Sequence, residues 1–502
     1  MTPVSQKPSP FDRISSGIEG LDVILNGGFV VGGMYIIQGV PGAGKTILTN
    51  QICFQHIATG GVALFVTLLA ENHARLMGNL RVLDFFDESA IPDKLAYLSA
   101  FNEVRTGGLK ALVDLVRREV LKRGATLLVI DGIVSAEASA KSDQAFREMI
   151  HEMQEIAIAA ECTIFLTTGE KNDASPERTM VDGLIELSER RFGWQAQTDL
   201  QVTKFRGSAF LRGRHSYKIS NAGITLYPRI EALLAYPSQS IEASNVVVST
   251  GVSNLDLMLG GGVTTGSVTL LAGPAGIGKT TMGLQFLAQC SEESPGLWFG
   301  LYETPERARS RIDDMPSGLG KLIDSELVNL VWQPAASDLL DAHGARLLQT
   351  VREKGIKRVV IDGLNAFFNG TIDHSRISDF FGAISNEFRA LGVTAIYVAE
   401  TEDVFGVSPR LPVQNTSLLA DNVVMLRFVE RHAQLHRLIS ILKTRGKAFD
   451  PHSREFTISQ NGVEVSDSPD SAVSLSRLLG WQSAGDVYGN NDARAQSLSP
   501  GV

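Results

Sequence analysis

Two eight-residue stretches carry the residue types needed to grip a polyphosphate: GVPGAGKT, Gly39–Thr46, and GPAGIGKT, Gly273–Thr280. Glycines let backbone N–H groups turn inward around a phosphate. A helix beginning at Gly44-Lys45 or at Gly278-Lys279 aims its positive dipole end at the same charge. Lys45 and Lys279 are spaced to reach the β- and γ-phosphates, and Thr46 and Thr280 to offer a hydroxyl to Mg2+. The expected linings are Gly39, Gly42, Ala43, Gly44, Lys45 and Thr46 in one loop. In the other they are Gly273, Gly276, Ile277, Gly278, Lys279, Thr280 and Thr281. Asp131 and Asp362 each end an apolar run, TLLVID and RVVID. A carboxylate at such a strand end is placed to hold the ion's water shell. Two loops in the same context predict two nucleotide sites.

The elements that must position these residues recur at a fixed interval. SSGIEGLDVILNGG precedes the first loop and STGVSNLDLMLGGG the second, so the chain is a tandem duplication and not a short-period solenoid. Each copy reads as apolar strand (MYIIQ; SVTLLA), glycine loop, apolar-periodic helix (KTILTNQICFQHIA; KTTMGLQFLAQC), buried strand (VALFVTLL; GLWFGLY), the strand ending in Asp, a long helical stretch and a further strand (CTIFLTT; TAIYVAE). Strands alternating with helices predict an α/β fold, a mostly parallel sheet flanked by helices, in each copy. Residues 1–237 and 238–465 are the expected domains, joined through the Pro- and Ser-containing stretch at 228–245. Residues 466–502, rich in Ser, Asp, Gly and Asn, are expected to form a largely flexible tail. Within that tail Val473, Leu475, Leu478, Leu479 and Trp481 could form a short docking patch.

The 502 residues are 44% hydrophobic and 20% charged, with a net charge of −9, the composition of an ordinary globular protein. The acidic balance argues against nucleic acid as a partner, since coating it requires clustered Lys and Arg. Cys53, Cys162 and Cys290 form no CxxC pair, so a zinc ribbon or redox motif is excluded. His215, His432, His436 and His452 lack metal-ligand spacing. The start is polar, and no run approaches the ~18 apolar residues of a membrane helix. A cytoplasmic protein without a membrane partner is expected.

The paired lead-ins, the two loops, the two strand-ending aspartates and a late Lys-x-Arg-Gly in each half (KFRG, Lys204–Gly207; KTRG, Lys443–Gly446) strongly resemble KaiC-type proteins, the double-domain branch of the RecA superfamily. The resemblance implies two tandem RecA-like P-loop domains and a homo-hexamer with ATP and Mg2+ at subunit interfaces, acting through regulatory partner proteins. It also implies that Lys204, Arg206, Lys443 and Arg445 reach the γ-phosphate of a neighbour's ATP. A cation arriving in this way is worth roughly 10³–10⁵ in rate.

The chain departs from the family where ATP-hydrolysing members carry adjacent glutamates after the second strand. FVTLLAEN puts Leu69 and Ala70 there, with Glu71 just beyond; FGLYETPE puts Tyr302 and Glu303. Loss of a positioned base, worth roughly 10²–10⁴-fold, predicts a first domain that binds ATP structurally and a second that turns over modestly through Glu303. LIELSERRFGW, 184–194, does not match LLADNVVMLRF, 418–428, which marks the first site as specialised or decayed. Clock-type members phosphorylate a Ser-Thr pair before this segment; here Ser417 and Leu418 occupy it, making Ser417 a candidate autophosphorylation site. Two other classes compete with an ATP-driven signalling protein: a DNA-dependent recombinase or helicase on the same fold, and a non-catalytic ATP-dependent scaffold.

Overall fold

The computed structural model describes residues 12–68, 73–169, 176–192, 195–240, 244–313, 318–334, 339–369, 371, 373–401, 419–431 and 433–469. The chain divides into two compact units between Leu233 and Leu234. Each is built on a nine-stranded sheet.

In the first unit the strands Leu95–Ser99, Ala63–Thr67, Leu127–Asp131, Thr163–Thr168, Met34–Gly39 and Gly183–Phe192 lie side by side and run parallel. Gln195–Phe205, Arg214–Ser220 and Gly223–Tyr227 extend the sheet antiparallel. Inner parallel strands such as Ala63–Thr67 (ALFVT) and Leu127–Asp131 (LLVID) are largely apolar runs because both faces are covered. Alternate residues of one strand feed different cores. Tyr35 and Ile37 pack with Leu48, Ile52 and Phe54 of the helix Lys45–Ala58. Met34 and Ile36 pack with Leu112 and Val116 of one helix and Met149 and Met153 of another. Each such side chain taken out of water contributes about 1.5–3 kcal/mol.

The second unit repeats this order. Val328–Trp332, Gly296–Gly300, Arg358–Asp362, Thr394–Glu400, Val268–Gly273 and Asn422–Arg431 are parallel; Gln434–Lys443, Arg454–Ser459 and Gly462–Val465 are the antiparallel extension. The repetition reaches single bonds. Asp22 accepts from Ser15 Oγ (2.6 Å) and Ser16 N (2.8 Å); Asp256 accepts from Ser249 Oγ (2.5 Å) and Thr250 N (2.8 Å). The Leu-Asp lead-in is thus a turn lock, its aspartate satisfying the backbone ahead of a positive-φ Gly17 or Gly251. Gln51 Oε1 accepts from Ile224 N, and Gln285 Oε1 from Val463 N, both at 2.8 Å, tying each loop-bearing helix to the far hairpin.

The described parts of the segments that look unlike in sequence, 184–192 and 419–428, contribute to the same element. Asp182 and Asp421 each pair through their backbone N–H with the first residue of the central strand, at Met34 O and Val268 O. Both hairpins that follow carry a bulge at the corresponding place, Leu184/Ile185 and Val423/Val424. Sheet position, not side-chain identity, defines this strand.

Candidate functional site

Both glycine loops leave the central strand at its C-terminal end and enter a helix, Lys45–Ala58 or Lys279–Leu287. Gly44 (φ 91°) and Gly278 (φ 115°) cap those helices in the left-handed region, which a side chain at Cβ would strain. Lys45 Nζ donates to Gly39 O (2.7 Å) and Val40 O (3.0 Å). Lys279 Nζ donates to Gly273 O (2.8 Å) and Pro274 O (2.7 Å). Burial holds both ammonium groups below the usual lysine range, while Asp131 opposes the shift at Lys45, and Glu400 and Asp362 at Lys279. A desolvated cation folded over an N–H-lined loop suits a phosphate chain. Tyr217 Oη fixes the first loop from behind by donating to Ala43 O at 2.7 Å.

The strand-ending aspartates lie beside the loops but are held differently. Asp131 accepts a short hydrogen bond from Thr167 Oγ1 on the neighbouring strand, and Thr167 Oγ1 also accepts from Gly132 N at 3.0 Å. Asp362 accepts instead from Thr280 of the loop itself, and burial pushes its carboxyl above the usual range, with Glu303 adding to the shift. A threonine hydroxyl bonded to a carboxylate at the end of a phosphate cradle is the donor set that suits Mg2+, an ion that takes its remaining ligands from phosphate and water.

Glu303 lies close enough to Asp362 for its charge to be felt, and accepts from Arg311 Nη2 at 2.9 Å. Tyr302 is 59% exposed; burial raises its phenol and Glu400 raises it further. Leu69, Ala70, Glu71, Thr416, Ser417 and Leu418, together with the tail patch, lie outside the described residues.

The Lys-x-Arg pairs do not join the loops of their own unit. Lys204 Nζ donates to Arg178 O (3.0 Å) and Thr179 O (2.9 Å), and Arg206 Nη2 to Thr179 O (3.1 Å). Lys443 Nζ donates to Ala420 O at 2.7 Å, and Arg445 Nη1 stands 3.5 Å from Asp421 Oδ1. These partners are Asp421 itself and residues one to four positions ahead of Asp182 or Asp421, whose backbone N–H groups meet the entry end of the central strand, whereas the loop leaves at its exit end. Five residue steps separate the two ends, about 17 Å at ~3.3 Å per step.

Sequence reading missed several participants. In each lobe the strand next to the central one carries a participant near its C-terminal end, Thr167 in the first and Glu400 in the second; Arg389 forms a two-pronged pair with Asp421, with Nη2 at 3.1 and 3.0 Å and Nε at 3.2 Å. Overlaying IFLTTG on AIYVAE would have shown that Thr167 corresponds to Val398, and Gly169 to Glu400. The histidines are structural, as expected for those described: His215 Nδ1 accepts from Arg229 N at 3.0 Å, and His436 Nδ1 lies 2.7 Å from Glu455 Oε1.

A strand, a glycine loop closed by its own lysine, and an aspartate on an adjacent parallel strand, present twice, define a tandem pair of RecA-like P-loop ATPase domains. The sequence model of the KaiC ATPase matches residues 14–231 and again 248–470, and the chain belongs to that family. It is 25% identical over 473 residues to circadian clock oscillator protein KaiC 1 of Synechocystis sp., covering 91% of this chain and 89% of that protein. It is 26% identical over 483 residues to KaiC of Picosynechococcus sp. (91% and 90% covered) and 25% over 476 residues to KaiC of Synechococcus elongatus (91% and 89%). No described helix is long and apolar enough to cross a membrane.

Proposed function

We propose that this ATPase works as a ring, a homo-hexamer in the cytoplasm, in which each ATP is gripped by the loop of one protomer and the Lys-x-Arg pair of the next. The observation that carries the reading is that Lys204, Arg206, Lys443 and Arg445 bond at the opposite end of the central strand from their own loops. A side chain cannot span that strand, so a γ-phosphate neutralised by these cations belongs to another copy. ATP then stabilises assembly as well as serving as substrate.

Within each grip, backbone N–H groups from Gly39 to Thr46 or Gly273 to Thr281 bind the phosphates, and Lys45 or Lys279 neutralises them. Thr46 with Asp131, and Thr280 with Asp362, would hold Mg2+, which draws charge from the departing phosphoryl oxygens. The acidic residues differ between the lobes, and we assign turnover to the second and a mainly structural ATP to the first. Residues 1–237, 238–465 and 466–502 serve as the two ATPase domains and a tail. The names of the relatives support a signalling role, exerted through regulatory proteins.

Mass measurement of the purified chain tests this. With ATP and Mg2+ we expect a hexamer that dissociates when nucleotide is removed; a monomer under saturating nucleotide defeats the ring and the cation roles together. Strong stimulation of turnover by single-stranded DNA would favour the recombinase or helicase class instead.

A further inference from the structure

We propose that Glu400 is the proton acceptor for the attacking water in the second lobe, standing in for the carboxylate that Tyr302 displaces. The inference rests on the reading that the second lobe carries turnover.

The geometry starts from the sheet. Glu400 is the register partner of Gly273, the first residue of the loop. The next residue, Thr401, donates its N–H to Gly273 O at 3.1 Å, and Lys279 Nζ donates to that same oxygen at 2.8 Å. Glu400 therefore rises from the sheet one strand away from the cradle. Its backbone is clamped on both sides by one side chain: Asn365 Oδ1 accepts from Glu400 N at 2.8 Å, and Asn365 Nδ2 donates to Glu400 O at 3.0 Å. Asn365 follows Asp362 by three residues, so the clamp ties Glu400 to the Mg2+ side of the site. Such a pair of hydrogen bonds fixes the origin of a side chain while leaving its carboxylate available.

The competing carboxylate is engaged. Glu303 is held by Arg311 Nη2 at 2.9 Å, so one of its carboxylate oxygens is already committed to that guanidinium. The Glu400 side chain is exposed and makes no hydrogen bond or ion pair among the described residues. Its charge nevertheless reaches the site, where it acts on Lys279 ahead of Asp362, and on Tyr302. The first lobe has Gly169 at this place, and Gly169 has no group to accept a proton. One position thus accounts for an asymmetry that Tyr302 and Leu69 leave unexplained, since both lobes lack the first glutamate after the second strand.

In the step, water oxygen bonds to the γ-phosphorus as the bond from that phosphorus to the β–γ bridging oxygen breaks. The water proton passes to the Glu400 carboxylate, and ADP leaves with the electron pair of the broken bond. ATP and water are the only reactants.

The test uses the full-length chain. Glu400→Gln keeps size and polarity and removes basicity. We expect its kcat to fall roughly 10²–10⁴-fold while ATP affinity, measured by equilibrium binding, stays within threefold. Glu400→Asp should retain more activity than Glu400→Gln, and Glu303→Gln should cost less than either. Glu400→Gln keeping more than a third of the turnover, or losing affinity in step with turnover, overturns the proposal. So does a larger loss in Glu303→Gln. Lys279→Ala separates the two levels. If it leaves turnover intact, the assignment of hydrolysis to the second lobe fails. If it removes turnover while Glu400→Gln does not, only the role of Glu400 fails.

Discussion

The two glycine loops of this chain are nearly superimposable in their internal bonds and unlike in what surrounds them. Lys45 and Lys279 close their loops on equivalent carbonyls. Asp22 and Asp256 lock equivalent turns, and Gln51 and Gln285 tie equivalent helices. At the strand tips the correspondence ends. Thr167 holds Asp131 where Val398 leaves Asp362 to Thr280; Gly169 occupies the place that Glu400 has in the second lobe; exposed Ile158 stands where Arg389 grips Asp421. Duplication preserved the bonds that shape each glycine loop and let diverge the residues at the strand tips around it. If binding and turnover rest on these different sets, as proposed above, one lobe can keep the first while losing the second.

The comparison breaks most sharply at the cations proposed to act in trans. Arg445→Ala should lower turnover by roughly 10³-fold or more, the worth of a cation supplied by a neighbour. Arg206→Ala should weaken ATP-dependent assembly and spare most turnover. Steady-state rates beside mass measurement distinguish the two, and equal rate losses would mean that both lobes hydrolyse. Lys279→Ala should cost roughly 10²–10³-fold, a loss of the size seen when one preorganised charge-stabilising group is removed. Lys45→Ala should leave most of the rate in the same assay, and a collapse there reverses the assignment of roles.

Stability tests sharpen the contrast. Arg389→Ile copies the first lobe's Ile158 into the second. Breaking a buried ion pair typically costs 3–5 kcal/mol; about 2 kcal/mol is expected here, because Val268 N and Arg445 still face Asp421. Denaturant unfolding measures it, and an unchanged midpoint would show the pair to be idle. Thr167→Val should cost the first lobe about 1.5 kcal/mol through the lost bond to a charged acceptor. The reciprocal Val398→Thr should draw Asp362 away from Thr280 and weaken the dependence of turnover on Mg2+.

The smallest effect concerns acid. Burial pushes the Asp450 carboxyl up, but bonds from His452 N, Arg454 and the His452 ring outweigh it and bring its pKa down to about 2. A carboxyl depressed in the folded state stabilises fully above its unfolded pKa, near 4, and loses that contribution as pH falls toward 2. The first lobe has Leu211 at this place, pairing Leu211 N with Ile24 O as Asp450 N pairs with Met258 O. Asp450→Asn should therefore flatten the acid transition of the second lobe alone between pH 4 and pH 2, followed by circular dichroism.

What the sequence by itself determined is local. Glycine-loop spacing, the strand-ending Asp131 and Asp362, and the helices opening at Lys45 and Lys279 lie within runs whose residue types dictate backbone conformation. A duplication with shared lead-ins then exposes the tandem α/β architecture. The Leu-Asp lead-in was visible as a signature, but its work as a turn lock was not, because that depends on where the aspartate's oxygens fall. Only the tertiary structure decided which strand tips stand side by side. Thr167 lies 36 residues from Asp131 in the chain but on the adjacent strand, and Glu400 meets Gly273 across a parallel ladder. The distance between each Lys-x-Arg pair and its own loop is likewise a property of the sheet. Parallel strands are joined by crossovers of a dozen or more residues, so their neighbours are chosen by packing of the whole domain and leave no mark on local spacing.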